Sequence, residues 1–419
     1  MTSDLVIDAN DNEVTIALLE DKKLVELNSE KKDQNFAVGD VYLGRVKKLL
    51  PGMNAAFIDI GYEKEGFLHY LDLGPQFESL NKFLKSTVAG KTTDALLTHF
   101  ENESDISKSG KINSVLTVGQ SVLVQIAKEP ISTKGHRLST EISLAGRYVV
   151  MMPFSEGVTI SAKIKNAEER NRLKRLAQSI KPKNFSLIVR TVAEGKMVAE
   201  LDKDIQDLLS KWKQCHALLQ QAQPPLKVLG EMDRTSTILR DLLNANFNNV
   251  HVNDAGLAQE IREYVKTIAP EHQELVKLHK NKTPIFEQFG IDKQIITVFG
   301  KTVNLPGGAY LVIEHTEAMH VIDVNSGTRT KVDNDGQEAH NLQVNLNAAR
   351  EIARQLRLRD MGGIIVVDFI DLRNADNKKL LFECLRDEMK RDRARHTILP
   401  PSKFGLIQIT RERVRQVTE

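Results

Sequence analysis

Met319-His320-Val321-Ile322-Asp323-Val324-Asn325-Ser326-Gly327 reads as a strand ending in polar residues, and Ile364-Ile365-Val366-Val367-Asp368-Phe369-Ile370-Asp371 reads as a second. Side chains alternate along a strand, so Val321, Asp323 and Asn325 share one face and project together at its end. The four β-branched residues of the second stretch predict a buried strand that Asp368 interrupts. Between the two, Leu342, Leu346, Ala349, Ala353 and Leu356 repeat at helical spacing, and Gly362-Gly363 stops the helix over 342–359. Further strands at 308–314 and 405–410 and a helix at 377–391 complete an alternation that predicts an α/β layer over 301–419.

A lone carboxylate inside a strand is costly unless paired, hydrogen-bonded or on a metal. Two readings follow. Asp323 and Asp368 are strand-end residues bonded to nearby backbone N–H groups, or they face one another from adjacent strands with Asn325 beside them. In the second case the oxygen donors suit Mg²⁺ or Mn²⁺, with phosphate completing the coordination. The surroundings are basic. Arg350, Arg354 and Arg357 line one flank of the helix stripe, and residues 390–415 hold eight Lys/Arg against Asp392 and Glu412. Such a run is ordinarily a solvated face, but beside a candidate metal site a polyanion explains it better.

Composition bounds the rest. The 419 residues are 41% apolar, 27% charged and only 5% aromatic, and 58 Lys+Arg nearly balance 56 Asp+Glu. These values exclude a disordered acidic or polybasic chain, a collagen-like chain and a small disulfide scaffold. No run approaches ~18 consecutive apolar residues, and Met1-Thr2-Ser3-Asp4-Leu5 opens without a basic and then apolar leader. The expectation is a soluble, cytoplasmic protein. Cys215 and Cys384 belong to no Cys/His ligand pattern, which argues against structural zinc.

Residues 1–36 form one hairpin-like unit, turning at Asn10-Asp11-Asn12, which cannot bury a core alone. Short strands at 40–50, 55–60, 66–70 and 121–128, punctuated by Pro51-Gly52, Gly61 and Gly119, imply a small barrel of OB-fold size over 37–130. The stretch 75–113 is polar and reads as an insertion in a barrel loop, with a short helix at 77–84. Residues 131–205 read as a small α+β module with strands at 148–152 and 185–191 and a helix at 167–180, and 206–300 as mostly helical. On the barrel, Phe57 and Phe67 fall opposite the buried faces of their strands. They could stack on unpaired bases, each worth ~1–3 kcal/mol, or cover a neighbouring module; Lys134 and Arg137 follow the last barrel strand.

Other chemistries lack their motifs. Gly90-Lys91-Thr92 imitates the end of a P-loop, but Lys85 stands where the first glycine is needed and no apolar strand precedes it. Neither G-x-S-x-G nor H-E-x-x-H is present.

Four stretches, His320 to Gly327, Ala353-Arg354-Gln355-Leu356-Arg357-Leu358-Arg359-Asp360-Met361-Gly362-Gly363, Val367-Asp368-Phe369-Ile370-Asp371 and Arg391-Asp392-Arg393-Ala394-Arg395, resemble the catalytic region of the bacterial ribonuclease E/G family. Ala55-Ala56-Phe57-Ile58-Asp59-Ile60-Gly61 and Ser143-Leu144-Ala145-Gly146-Arg147-Tyr148 extend the resemblance over nearly the whole chain. It implies an α+β multidomain fold: an RNase H-like unit (1–36 and 206–300) with an inserted OB-fold RNA-binding domain (37–130) and a 5′-sensor module (131–205), then a DNase I-like catalytic domain (301–419). By the same resemblance, Asp323 and Asp368 hold catalytic Mg²⁺, with Mn²⁺ as an alternative, and Asn325 orients the scissile phosphate or attacking water. Gly146, Val150, Arg190 and Thr191, supported by Arg395, receive a 5′-monophosphate, and Phe57, Phe67 and Lys134 grip single-stranded RNA.

The implied activity is endonucleolytic cleavage of single-stranded RNA in rRNA processing and mRNA decay, with rRNA precursors and mRNA as partners and a homodimer as the assembly. Family members usually continue into a Cys-pair zinc link and a small domain, whereas this sequence stops at Glu419, so no zinc is expected in this chain. The alternative, from another class, is a non-catalytic RNA-binding protein.

Overall fold

Asn10 turns the chain back on itself: its Oδ1 accepts the backbone N–H of Asn12 at 3.0 Å and of Glu13 at 2.8 Å, an Asx turn that joins two strands. The computed structural model describes residues 2–31, 36–92, 94–130, 135–243, 247–327 and 334–412. They form two compact units, one from 1–33 with 245–419 and one from 34–244.

In the first unit, the described residues form two sheets. One runs in the order Val276–Leu278, Phe247–Val252, Ser3–Ala9, Glu13–Glu20 and Lys23–Lys31. Ser3–Ala9 is antiparallel to its hairpin partner and parallel to Phe247–Val252, with Leu5 opposite Val250. The opening hairpin thus gains partners on both sides and a core, in which Val6, Ala17, Leu19 and Leu24 meet Ile285, Phe286, Ile291 and Val298. Residues 206–300 are mostly helical, as expected, and add the strands Phe247–Val252 and Val276–Leu278 that the sequence reading lacks. Asn246, Asn248 and Asn249 dilute the strand pattern in sequence, and pairing with Ser3–Ala9 outweighs that weak local propensity.

The second sheet runs Thr302–Asn304, Tyr310–His315, Met319–Asn325, Gly363–Asp368, Ile407–Arg411 and His396–Ile398. Helices Asn334–Leu358 and Ala375–Met389 share its core, where Val344, Ala348, Ile352 and Leu356 pack with Ile322, Ile365 and Val367. Of the expected stripe, Ala349, Ala353 and Leu356 are buried, while Leu342 and Leu346 are only half-buried. Gly363–Asp368, expected to be buried, is buried on one face only: Ile365 and Val367 are inside, while Ile364 is 46% exposed.

In the second unit, Val41–Leu50, Ala55–Asp59, Gly66–His69, Arg137–Ser139 and Ser121–Lys128 close into a five-stranded, OB-like barrel, because Leu43 of the first strand pairs with Leu123 of the last. Val46, Ile58, Leu68, Val124, Ile126 and Leu138 fill it. The polar insertion proves to be structural. Its helix, Phe77–Val88, buries Phe77, Leu80, Phe83 and Leu84, and Phe83 stacks on Trp212 at 5.6 Å. The apolar face of that helix is hidden in sequence by the Lys, Ser, Thr and Glu residues around it.

A four-stranded sheet follows, in the order Val158–Ile160, Phe185–Val189, Val149–Pro153 and Leu144–Ala145. Helix Ala167–Ile180 is capped by Asn166, whose side chain accepts the N–H groups of Glu168 and Glu169. Helix Val198–Leu219 runs through the expected boundary between 205 and 206. Its Leu201, Ile205, Leu208, Trp212, Cys215 and Leu219 recur every three or four residues and join the same core as Val149 and Leu187.

Candidate active site

Two parallel strands bring the aspartates together. Asp323 and Asp368 are register partners, one pair beyond Ile322 and Val367, and neighbouring strands lie about 4.8 Å apart. Because Ile322, Val324 and Val367 point into the core, Asp323 and Asp368 project from the opposite, exposed face. Asn325, two residues on, shares that face and donates its Nδ2–H to Asp323 Oδ2 at 2.8 Å. The protein around Asp368 removes part of its water, and the negative charges of Asp323 and Asp371 add to the effect, so its carboxyl titrates above the ordinary range.

The segment after Asp368 is fastened to the helix behind the sheet. Asn345, fully buried, accepts the backbone N–H of Ile370 at 3.0 Å and donates to its carbonyl at 2.7 Å. Glu338 accepts the N–H groups of Arg373 and Asn374 and the amide of Asn377 at 3.0–3.2 Å. Asp371 is thereby held near the pair. Asn345 and Asp371 carry no role in the sequence reading; the signal for Asn345 is its spacing, three residues after Leu342 and four before Ala349 of the apolar stripe.

Among the described residues no set of three or more His, Cys, Asp or Glu side chains is disposed to hold a metal. Two carboxylates and an amide on one exposed face suit an ion that takes few protein oxygens and keeps its water, as Mg²⁺ does. Desolvation and, after it, the charges of Asp323 and Asp371 raise the Asp368 carboxyl, and a bound cation would relieve both.

The arginines are less available than the sequence suggests. Arg357 binds Glu20 at 2.7 Å and Glu26 at 3.2 Å, and Arg393 also binds Glu26. Arg354 pairs with Glu351 at 2.6 Å and donates to the Leu24 carbonyl at 2.7 Å. Arg411 is buried between Asp392 and Asp360. Part of the expected basic flank is therefore internal pairing: Arg354, Arg357 and Arg393 tie the helix Asn334–Leu358 and the segment after Ala375–Met389 to the first sheet, and Arg411 ties its own strand to Asp392 and Asp360. Arg395 is exposed; Arg413 and Arg415 lie outside the described residues.

In the second unit, Arg190 Nη1 donates to the Gly146 carbonyl at 2.8 Å and Nη2 pairs with Asp241 at 2.7 Å. Val150 lies on the strand paired with Phe185–Val189, and Thr191 follows Arg190 directly. Asp204 anchors the turn, accepting the N–H groups of Arg147, Tyr148 and Val149 at 2.7–3.0 Å. A Cβ on Gly146 would stand 2.5 Å from that carboxylate, so the close approach requires glycine. On the barrel, Phe57 and Phe67 are half-buried register partners with rings edge to face at 6.1 Å. Lys134 lies outside the described residues.

Comparison with known proteins gives the chain its relatives. The model of the ribonuclease E/G family matches residues 143–414. Ribonuclease G of Haemophilus influenzae is 34% identical over 416 residues, 99% of this chain and 80% of that protein. Ribonuclease G of Escherichia coli is 33% identical over 419 residues, 100% of this chain and 81% of that protein. Ribonuclease E of Nostoc sp. is 38% identical over 380 residues, 90% of this chain and 51% of that protein.

Proposed function

Because the chain belongs to the ribonuclease E/G family, we propose that it is an endoribonuclease that cuts single-stranded RNA at Asp323, Asn325 and Asp368 with Mg²⁺ as its divalent cation, Mn²⁺ being able to substitute. The observation that carries this reading is the register pairing of Asp323 with Asp368 on an exposed sheet face. Asp323 and Asp368 are the ligands, and Asn325, bonded to Asp323, orients the scissile phosphate or the attacking water. The bound cation supplies positive charge to the phosphate ester and acidifies water. Water adds to phosphorus, the bond to the 3′-oxygen of the upstream nucleotide breaks, and that oxygen takes up a proton, leaving 5′-phosphate and 3′-hydroxyl ends.

We further assign preference for a 5′-monophosphate to Gly146, Val150, Arg190 and Thr191, with Arg395 in support. What supports Arg190 in that role is a guanidinium fixed in place by the Gly146 carbonyl and Asp241, the group that pairs with phosphate through charge-assisted hydrogen bonds. Phe57, Phe67 and Lys134 are the proposed grip on the RNA. The substrates proposed are A/U-rich rRNA precursors and mRNA, handled in the cytoplasm by a homodimer; among the described residues no helix is long and apolar enough to cross a membrane.

Incubation with a 5′-monophosphorylated oligoribonucleotide, with and without Mg²⁺, tests the proposal. Cleavage only with the cation is expected. Binding without any cleavage would overturn it in favour of a non-catalytic RNA-binding protein.

A further inference from the structure

Two histidines meet at the hairpin that leads into the candidate active site. His315 ends the strand Tyr310–His315, His320 lies at the start of Met319–Asn325, and the two are register partners across the turn. Their Nδ1 atoms are in contact, with ring centroids 4.5 Å apart and planes nearly perpendicular. His320 is buried, and its Nε2 lies 3.1 Å from the carbonyl oxygen of Gly362. A carbonyl oxygen only accepts, so His320 Nε2 carries the proton and its Nδ1 presents a lone pair toward His315. His315, exposed to solvent, then supplies the proton that lies between the two nitrogens.

One imidazole fixed through its far nitrogen by a backbone carbonyl, with the near nitrogen unprotonated, is the arrangement of a metal-ligating histidine. We propose that His315 and His320 form a binding site for a borderline first-row transition ion such as Zn²⁺, which displaces the shared proton and is held by both Nδ1 atoms, with water completing its shell. Imidazole nitrogens select such ions over Mg²⁺, so this site and the carboxylate site take different metals. Two nitrogens bound to one tetrahedral Zn²⁺ stand about 3.4 Å apart, and the exposed His315 ring swings outward to reach that separation. The turn beneath is fixed independently, by the Thr316 N–H to the Met319 carbonyl at 2.9 Å and Thr316 Oγ1 to the same carbonyl at 2.8 Å. The ion therefore needs only a side-chain movement. No Cys/His spacing motif marks this site, because its ligands are juxtaposed across a hairpin.

Calorimetric titration of the untagged protein with Zn²⁺ in excess Mg²⁺ tests the inference. The wild-type chain is expected to bind one Zn²⁺ that His315→Ala, a change at an exposed position, abolishes. His320→Gln is expected to lose the same ion, with circular dichroism as the check on folding. Equal Zn²⁺ stoichiometry and affinity in wild type and His315→Ala would overturn it, as would no Zn²⁺ uptake by wild type. Because the readout is binding in excess Mg²⁺, its failure is distinct from failure of the nuclease reading.

Discussion

Asn345 spends both of its amide hydrogen bonds on one backbone unit, that of Ile370, two residues beyond Asp368. Asn345→Leu is expected to destabilise the protein by ~1–3 kcal/mol, since it leaves a buried N–H and C=O unpaired. Cleavage should fall more than RNA binding does, because the segment bearing Asp371 is released. Thermal unfolding read beside single-turnover cleavage checks this, and unchanged cleavage at full stability would refute the clamp.

Asp323→Asn and Asp368→Asn should each nearly abolish cleavage while RNA affinity measured by filter binding stays close to wild type. Asp368→Asn also carries a stability signature. Asp368 titrates high because desolvation and two neighbouring carboxylates oppose its charge, so at neutral pH without divalent cation its ionised form opposes folding. Asp368→Asn should therefore raise the metal-free melting temperature, and a lower one would contradict the proposed repulsion.

Acid should loosen the first unit through Glu26. Burial disfavours its charge, but Arg393 and Arg357 outweigh burial and hold the carboxyl below its ordinary value of 4.5. Its contribution is complete above about pH 4.5 and is lost as the pH falls through the lower folded value. Glu26→Gln should cost ~1–3 kcal/mol at neutral pH, since it removes the charged partner of Arg393 and one of the two partners of Arg357, which keeps Glu20, and should flatten the acid limb of a stability–pH curve. An unaltered acid limb would exclude Glu26 as its source.

Gly146→Ala should damage 5′-end selection. The added methyl meets the Asp204 carboxylate, which orders three successive N–H groups. Cleavage of a 5′-hydroxyl oligonucleotide should be retained while the advantage of its 5′-monophosphate counterpart is lost; an intact preference would remove this turn from the sensor.

Phe57→Ala and Phe67→Ala should each weaken single-stranded RNA binding by ~1–3 kcal/mol with little change in its salt dependence, since no charge is removed. Full affinity in both would return these rings to a purely structural role.

Much of the fold is legible in sequence wherever local punctuation is strong. Pro51-Gly52, Gly61 and Gly119 delimit barrel strands, and the period of two places Asp323 with Asn325 on one face. What escapes is set by distant partners. Phe247–Val252 is a strand because Ser3–Ala9 lies beside it, and nothing near Arg357 in sequence announces Glu20 and Glu26 as its partners. Likewise the register that sets Asp323 opposite Asp368 depends on the parallel pairing of strands with a long helix between them. Periodicity yields the face of a residue, and only the assembled sheet yields its neighbour.

The place of Ser3–Ala9 between Glu13–Glu20 and Phe247–Val252 also dictates a timetable for the nascent chain. The ribosome delivers the opening hairpin first, yet its interior edge stays open until residue 252 has emerged. The contiguous stretch 34–244 can condense meanwhile. During that interval the hairpin offers an unpaired strand edge to other polypeptides, so slow translation before residue 252 should tax the yield of this protein more than slow translation after it.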